Sequence, residues 1–363
     1  NRFQPDIQYR GFVASPLLGL PQGLSVFVDG VRVNEAFGDT VNWDLIPTNA
    51  IHRADIWTNN PTFGLNALGG AVSIQMKNGF TYSGGEFEAQ GGSFGRISGG
   101  AQYGKQKDGF GIYLSAQGLK EDGWRYQSPS EVRRFYGDLG WRGDGSEIHM
   151  IGTAGRNYFG VVGPTPIQLL RQDPKAIYTW PQTTRNEMQL VALNGKWNAT
   201  DHWTLQGNVY LRKFQQQHVD GNGADIERCS GNNADPLFNM LCLDDNAAPG
   251  ASAASRQILT SSNAGIPCPP LGGANPCRNV PYGTVDRTST DATTIGFSAE
   301  ASSDAKLFGH GNNFAIGGSF DHSRVGFGAT SELGYIFPDL SVGTNSVIPG
   351  TGSVIHTAGN IGY

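Results

Sequence analysis

Apolar and polar residues alternate along most of this chain, with the two-residue period of a strand whose faces meet different surroundings. Phe135, Gly137, Leu139 and Trp141 fall on one face, and Tyr136, Asp138, Gly140 and Arg142 on the other. Trp203, Leu205, Val209 and Leu211 alternate likewise with Thr204, Gln206, Asn208 and Arg212, as do Phe110, Ile112, Leu114 and Ala116 with Tyr113, Ser115 and Gln117. The pattern predicts about nine strands, near residues 86–92, 96–105, 110–120, 133–142, 147–156, 186–198, 203–215, 290–301 and 313–321. Each is close to the ~9–11 residues that cross a bilayer.

A soluble sandwich would alternate in the same way, so the connections discriminate. Lys107-Asp108-Gly109, Gly143-Asp144-Gly145-Ser146 and Ala199-Thr200-Asp201 read as tight turns, while the links near 121–132, 157–185 and 216–289 are long. Short and long links in alternation are natural for an up-and-down membrane barrel, with tight turns on the periplasmic rim and long loops outside. Trp141, Trp197 and Trp203 fall near tight turns, where an interfacial aromatic girdle would stand; ordinary aromatic strand content is the alternative.

Residues 1–80 differ in texture from residues 81–363 and read as a separate small mixed α/β domain. Leu24-Ser25-Val26-Phe27-Val28-Asp29-Gly30-Val31-Arg32-Val33 is a hairpin signal, because Asp-Gly tolerates the positive φ of a tight turn. A short strand, Ala71 to Met76, closes this segment.

Composition narrows the classes. With 52 glycines, 16% charged and 10% aromatic residues, a mainly β protein is favoured over packed helices. A net charge of −5 with interspersed signs offers no basic field for nucleic acid. No run approaches the ~18 apolar residues of a spanning helix, so a membrane crossing would have to be a barrel. The four cysteines, Cys229, Cys242, Cys268 and Cys277, cluster in one polar stretch and point to loop disulfides and an oxidising compartment. Three pairings are possible; the sequential one, Cys229 with Cys242 and Cys268 with Cys277, closes two short loops and is preferred. A zinc site is the rival, but there is no Cys-x-x-Cys and no histidine at ligand spacing. The chain begins at Asn1 without a start methionine or signal peptide and ends at Tyr363 in a glycine-rich run, so both ends are expected to be cut, processing being the alternative at the first.

Several motifs of the first 80 residues stand in a fixed order. They are Arg10-Gly11-Phe12, then Val26-Phe27-Val28-Asp29-Gly30-Val31-Arg32, then Ile46-Pro47 with Ile51-His52-Arg53-Ala54-Asp55-Ile56. Pro61-Thr62-Phe63-Gly64-Leu65-Asn66-Ala67-Leu68-Gly69-Gly70-Ala71-Val72-Ser73-Ile74 follows, ending near Lys77. In order and spacing this segment resembles the plug of TonB-dependent outer-membrane receptors, and the remainder resembles their barrel in architecture. The resemblance implies the C-terminal part of a plug followed by the first strands of an antiparallel, up-and-down transmembrane β-barrel of about 22 strands, incomplete in this chain. It implies a Gram-negative outer-membrane location, with TonB as periplasmic partner, outer-membrane lipid around the wall and a small-molecule or chelate ligand outside. It implies no cofactor, and import in which no bond is made. No TonB box is recognisable in the chain. Thr58-Asn59-Asn60 departs from the family's second arginine and glycine, so of the plug arginines that barrel glutamates hold in the family, Arg53 remains.

The resemblance places Asn34-Glu35-Ala36-Phe37-Gly38-Asp39-Thr40-Val41-Asn42-Trp43 in a plug loop facing ligand, with Asn34, Phe37, Asp39, Asn42 and Trp43 as contact candidates; packing of Phe37 and Trp43 into the plug core is the alternative. The cysteine-bearing connection is a second ligand surface, or a shield or partner surface. No catalytic or metal constellation is present in the sequence. Gly91-Gly92-Ser93-Phe94-Gly95 fits a serine-hydrolase elbow only formally, since strands flank it, and Gly309-His310-Gly311 reads as a turn. Two functions follow: energised import of a scarce ligand, a ferric siderophore first among several, or a plugged barrel with a structural or assembly role and no active transport.

Overall fold

The structure, a computed structural model, describes residues 2–58, 64, 66–224, 226–229, 240–243, 265–266, 280–345, 348 and 351–358. Near the N-terminus β1 (Ile7–Tyr9) and β2 (Phe12–Ala14) pair as a two-stranded ribbon. β3 (Leu24–Val28), β4 (Val31–Arg32), β5 (Ile51–Trp57) and β6 (Gly70–Met76) form a four-stranded sheet in the order β4-β3-β6-β5. The β3–β4 turn is made by Asp29 and Gly30, with φ of 47° and 80°, the left-handed pair of a two-residue hairpin. The mixed character of this domain comes from the parallel pairing of β3 with β6. Its helical content, among the described residues, is two single 3-10 turns at Trp43–Leu45 and Thr48–Ala50, less than a mixed α/β domain implies.

Nine long strands follow: β7 (Gly84–Gly91), β8 (Ile97–Lys107), β9 (Phe110–Glu121), β10 (Ser130–Gly143), β11 (Ser146–Gly160), β12 (Gln182–Asn198), β13 (Trp203–Gly223), β16 (Tyr282–Ser303) and β17 (Phe314–Ile336). Between β13 and β16 lies a small ribbon of β14 (Ile226–Arg228) and β15 (Leu241–Leu243); β18 (Val342–Gly343) and β19 (Val354–Ala358) add to β17. Each long strand pairs antiparallel with its neighbour in chain order, and among the described residues the sheet does not close. Asp108 and Gly109, φ 50° and 79°, turn β8 into β9, and strand ends at 143 and 146 leave two residues between β10 and β11. The opposite ends are joined by longer segments, one carrying the short helix α1 (Ile167–Gln172).

The alternation is inverted relative to a soluble protein. Leu139, Leu193, Val209, Ile295, Phe297 and Phe320 stand exposed on the convex face, whereas Arg134, Tyr136, Asp138, Asn157, Asn186 and Arg212 are buried on the concave one. Apolar outside and polar inside is the pattern of a membrane barrel. Phe110, Trp141, Trp197, Trp203 and Phe314 are exposed at or near the tight-turn ends, as an aromatic girdle requires. No helix among the described residues is long and apolar enough to cross a membrane.

The last four long strands exceed the expected length, at 17, 21, 22 and 23 residues. At ~3.3 Å per residue a 22-residue strand runs about 70 Å, more than a tilted crossing needs. Their far halves carry Gln, Thr, Ser, Asp and His on both faces, such as Gln215, Gln216, Gln217 and His218 opposite Thr288, Ser289, Thr290 and Asp291. Water on both sides removes the hydrophobic alternation that marks a strand in sequence, while the ladder continues.

Candidate functional site at the plug and wall interface

The small domain sits against the concave face, and one apolar cluster spans both. Leu24, Val26, Val31, Val33, Val41, Leu45, Ile74 and Met76 pack with Tyr136, Ile151, Met188, Leu190 and Ala192 of the wall. Each aliphatic side chain fully buried there contributes on the order of 1.5–3 kcal/mol. Gly155 permits the close approach: a Cβ at that position would stand 2.9 Å from Leu45 Cδ2.

Three acids of the small domain enter this contact. Asp29, at the hairpin tip, accepts the Met76 amide at 2.8 Å and the Tyr136 hydroxyl at 2.9 Å, while Asn194 donates to its carbonyl at 2.8 Å. Burial, only partly offset by those hydrogen bonds, pushes its carboxyl up to about 6. Glu35 is paired with Arg212, both almost wholly excluded from solvent, and accepts the Asn42 amide at 3.1 Å. Burial raises its carboxyl, and the Arg212 charge pulls it back. Asp44 is fully buried and accepts Asn157 at 2.9 Å and Asn186 at 3.1 Å, and its carbonyl receives Arg134 and Asn157. Its carboxyl is likewise raised by burial and lowered by the two amides.

These contacts fall at increasing distance from the tight-turn rim. Asn194 lies four residues before the end of β12 at Asn198, Arg212 nine after the start of β13 at Trp203, and Asn157 eleven after the start of β11 at Ser146. The Asp29 tip therefore faces the tight-turn side, and the loop 34–43 faces the long-loop side.

Of the loop residues predicted to face ligand, Asn34 and Asn42 are buried. Asn34 accepts the Val26 amide at 2.8 Å and donates to the Leu24 carbonyl at 3.0 Å, bracing β3, and Asn42 is spent on Glu35. Trp43 is half-buried, and its indole donates to the Ala14 carbonyl at 2.9 Å. Phe37 packs on Phe327 of β17, with ring centroids 4.8 Å apart, between exposed Ala36 and Gly38. Asp39 is bridged by Arg32 and Asn66. Phe37 and Asp39 thus stay nearest solvent, while the two asparagines hydrogen-bond to β3 and to Glu35.

Among the described residues Arg53 meets no barrel glutamate. It pairs with Asp55 at 2.8 Å on β5, the sheet's edge strand, where residues two apart share a face, and it is exposed. Among the described residues, the plug acids Glu35, Asp29 and Asp44 meet Arg212, Tyr136 and Asn157 of the wall. Asp29 stood in the hairpin motif and Glu35 in the loop 34–43, but nothing local singled either out, and Asp44 lay outside every motif named. Cys229 and Cys242 form a disulfide between β14 and β15; Cys268 and Cys277 lie outside the described residues, as does most of the Pro61–Leu65 motif. The elbow-like Gly91–Gly95 segment is the β7–β8 turn, with Phe94 and Gly95 at positive φ, and Phe308 and Gly309 turn β16 toward β17.

No protein-family model matches the chain, and no curated protein matches it. Solved structures match in fold. The ferric citrate transporter FecA in its unliganded form superimposes with a TM-score of 0.57 at 9% identity, covering 98% of this chain and 47% of that one. The FpvAI–pyocin S2 complex gives 0.56 at 11%, covering 98% and 44%, and the pyoverdine outer-membrane receptor FpvA of Pseudomonas aeruginosa PAO1 bound to pyoverdine gives 0.53 at 11%, covering 97% and 46%. The chain spans about half the length of these solved structures. It therefore has the fold of the plug and first barrel strands of TonB-dependent receptors.

Proposed function

We propose that this chain belongs to a TonB-dependent outer-membrane receptor that binds a scarce extracellular ligand and imports it. The observation that carries this reading is the pairing of an inside-out strand pattern with a plug seated on the polar face through Asp29, Glu35 and Asp44. A structural barrel has no need for buried acids at a movable contact. Three acids held by single arginines, amides and a tyrosine are strong while water is excluded and weaken once a force admits it. TonB is the proposed source of that force, acting on the periplasmic side.

Ferric chelates are the proposed ligand class, since the fold is shared with a ferric citrate transporter and a pyoverdine receptor. Phe37, with Asp39, is the proposed contact point at the outward end of the plug; Asn34, Asn42 and Trp43 hold the loop in shape. The lock the resemblance assigns to Arg53 is read as carried by Glu35 and Asp44. The test is uptake of radiolabelled ferric chelates by iron-starved cells with and without the gene, and with and without TonB. Uptake that needs both supports import; a full complement of barrel in the membrane with equal uptake in all strains would leave the structural role.

A further inference from the structure

On its tight-turn side the plug contact encloses a cavity of about 240 Å³, between the Asp29–Gly30 turn and β6 of the plug and strands β10, β11 and β12 of the wall. Its ionisable lining is two carboxylates, Asp29 and Asp138, the imidazole of His149 and the phenol of Tyr136; among the described residues no lysine or arginine lines it. The strand register assembles the wall side. Gly140, His149 and Asn194 stand opposite one another across the three strands, and Asp138 lies two residues along β10, on the same inward face as Gly140.

Two oxygens of this lining are buried without a donor. Asp138 is 2% exposed; its Oδ2 accepts His149 Nδ1 at 2.8 Å, and its Oδ1 has no hydrogen-bond partner among the described residues. Asn194 donates its amide nitrogen to the Asp29 carbonyl at 2.8 Å, and its buried Oδ1 likewise has no partner among them. Asp29 cannot relieve either oxygen, since it is itself an acceptor, already held by the Met76 amide and the Tyr136 hydroxyl. A secluded carboxylate oxygen without a donor is costly, and an anion or a carbonyl would add to the imbalance. A cation answers both oxygens. Since water takes a share of ~30 Å³ in the liquid, the cavity holds a small ion with several waters, and the two oxygens need not touch the same atom. Calcium takes about 6–8 oxygens, carboxylates prominent among them, and no three His, Cys, Asp or Glu residues among the described ones converge on a metal position. A single-charged ion, content with one carboxylate oxygen, neutral oxygens and water, matches the set.

We propose that this cavity binds one alkali-metal cation, sodium or potassium, with Asp138 Oδ1 as its charged acceptor and Asn194 Oδ1 as a neutral one. Bound there, the ion ties the plug hairpin to the wall, because Asn194 already holds the Asp29 carbonyl and Ser73 and Gln75 of the plug complete the lining. The test follows amide exchange of residues 24–33 in the full gene-encoded protein, in sodium, potassium and tetramethylammonium chloride at equal ionic strength. The methyl groups of tetramethylammonium keep its charge from close approach to an oxygen. At a metal-ion concentration about ten times the dissociation constant, exchange is expected to slow about tenfold relative to tetramethylammonium, and the ion with the larger effect is the occupant. Asp138→Asn removes the charge and abolishes the response, whereas Asp321→Asn, in the neighbouring lumen outside this cavity, keeps it. Unaltered heat-dependent gel mobility shows that a variant is folded. Where Asp138→Asn does not fold, Asn194→Ala is read in its place, with a weakened response expected. Equal exchange in the three salts overturns the proposal and leaves water as the partner of both oxygens. A folded Asp138→Asn or Asn194→Ala variant with the full response overturns it as well.

Discussion

Glu35 and Arg212, 177 residues apart in the chain, form an ion pair whose side chains are 4% and 6% exposed, the most secluded charge pair joining plug and wall among the described residues. Breaking such a pair leaves one buried charge uncompensated, at about 3–5 kcal/mol. Arg212→Ala is expected to loosen the plug seat, read as faster amide exchange in residues 24–46 with the exchange of β10–β12 unchanged. Adding Glu35→Gln restores part of the protection, because the orphaned carboxylate is gone.

Asp29 supplies a pH dependence. Its folded pKa, about 6, lies above the unfolded value of 3.8, so the folded state holds a proton that the unfolded state releases. That contribution is full below pH 3.8 and is lost as pH rises through about 6. Near pH 7 ionised Asp29 costs on the order of 2–3 kcal/mol. Asp29→Asn keeps the positive-φ turn and is expected to raise the melting temperature at pH 7, with the gain over the parent shrinking toward pH 4. A gain independent of pH would assign the effect to something other than the carboxyl.

The two faces of β13 give opposite outcomes for the same residue. Val209 faces lipid and Gln206 faces the interior. Val209→Arg is expected to cost about 2–4 kcal/mol near the midplane, and Gln206→Arg much less. Urea titration of the reconstituted barrel measures both, and equal costs would argue against a bilayer on the convex face.

The Cys229–Cys242 bridge closes a loop with a sequence separation of 13, an entropic constraint of about 3 kcal/mol. Cys229→Ser with Cys242→Ser is expected to make the β14–β15 ribbon sensitive to protease while the long strands keep their protection. Peptide mapping without reduction recovers the two cysteines in one linked fragment.

Gly155→Val tests the close approach of Leu45. The added side chain has no room beside Leu45 Cδ2, so overpacking is expected to cost about 1–3 kcal/mol, again read as faster exchange in the plug.

The sequence by itself determined the strands and their faces. Alternation is a local property, so Leu139 and Val209 were distinguishable from Asp138 and Asn208 without a structure, and Asp29-Gly30 specified its own turn. Strand length past the membrane was decided by tertiary structure, because Gln, Thr and Ser in water show no periodicity while their backbones still pair. The plug contacts were decided there too. Glu35 could have met any inward-facing polar residue of the wall; its partner is Arg212 because the small domain, docking through Val31, Leu45 and Met76 against Ile151, Met188 and Leu190, leaves that guanidinium within reach and excludes water from both.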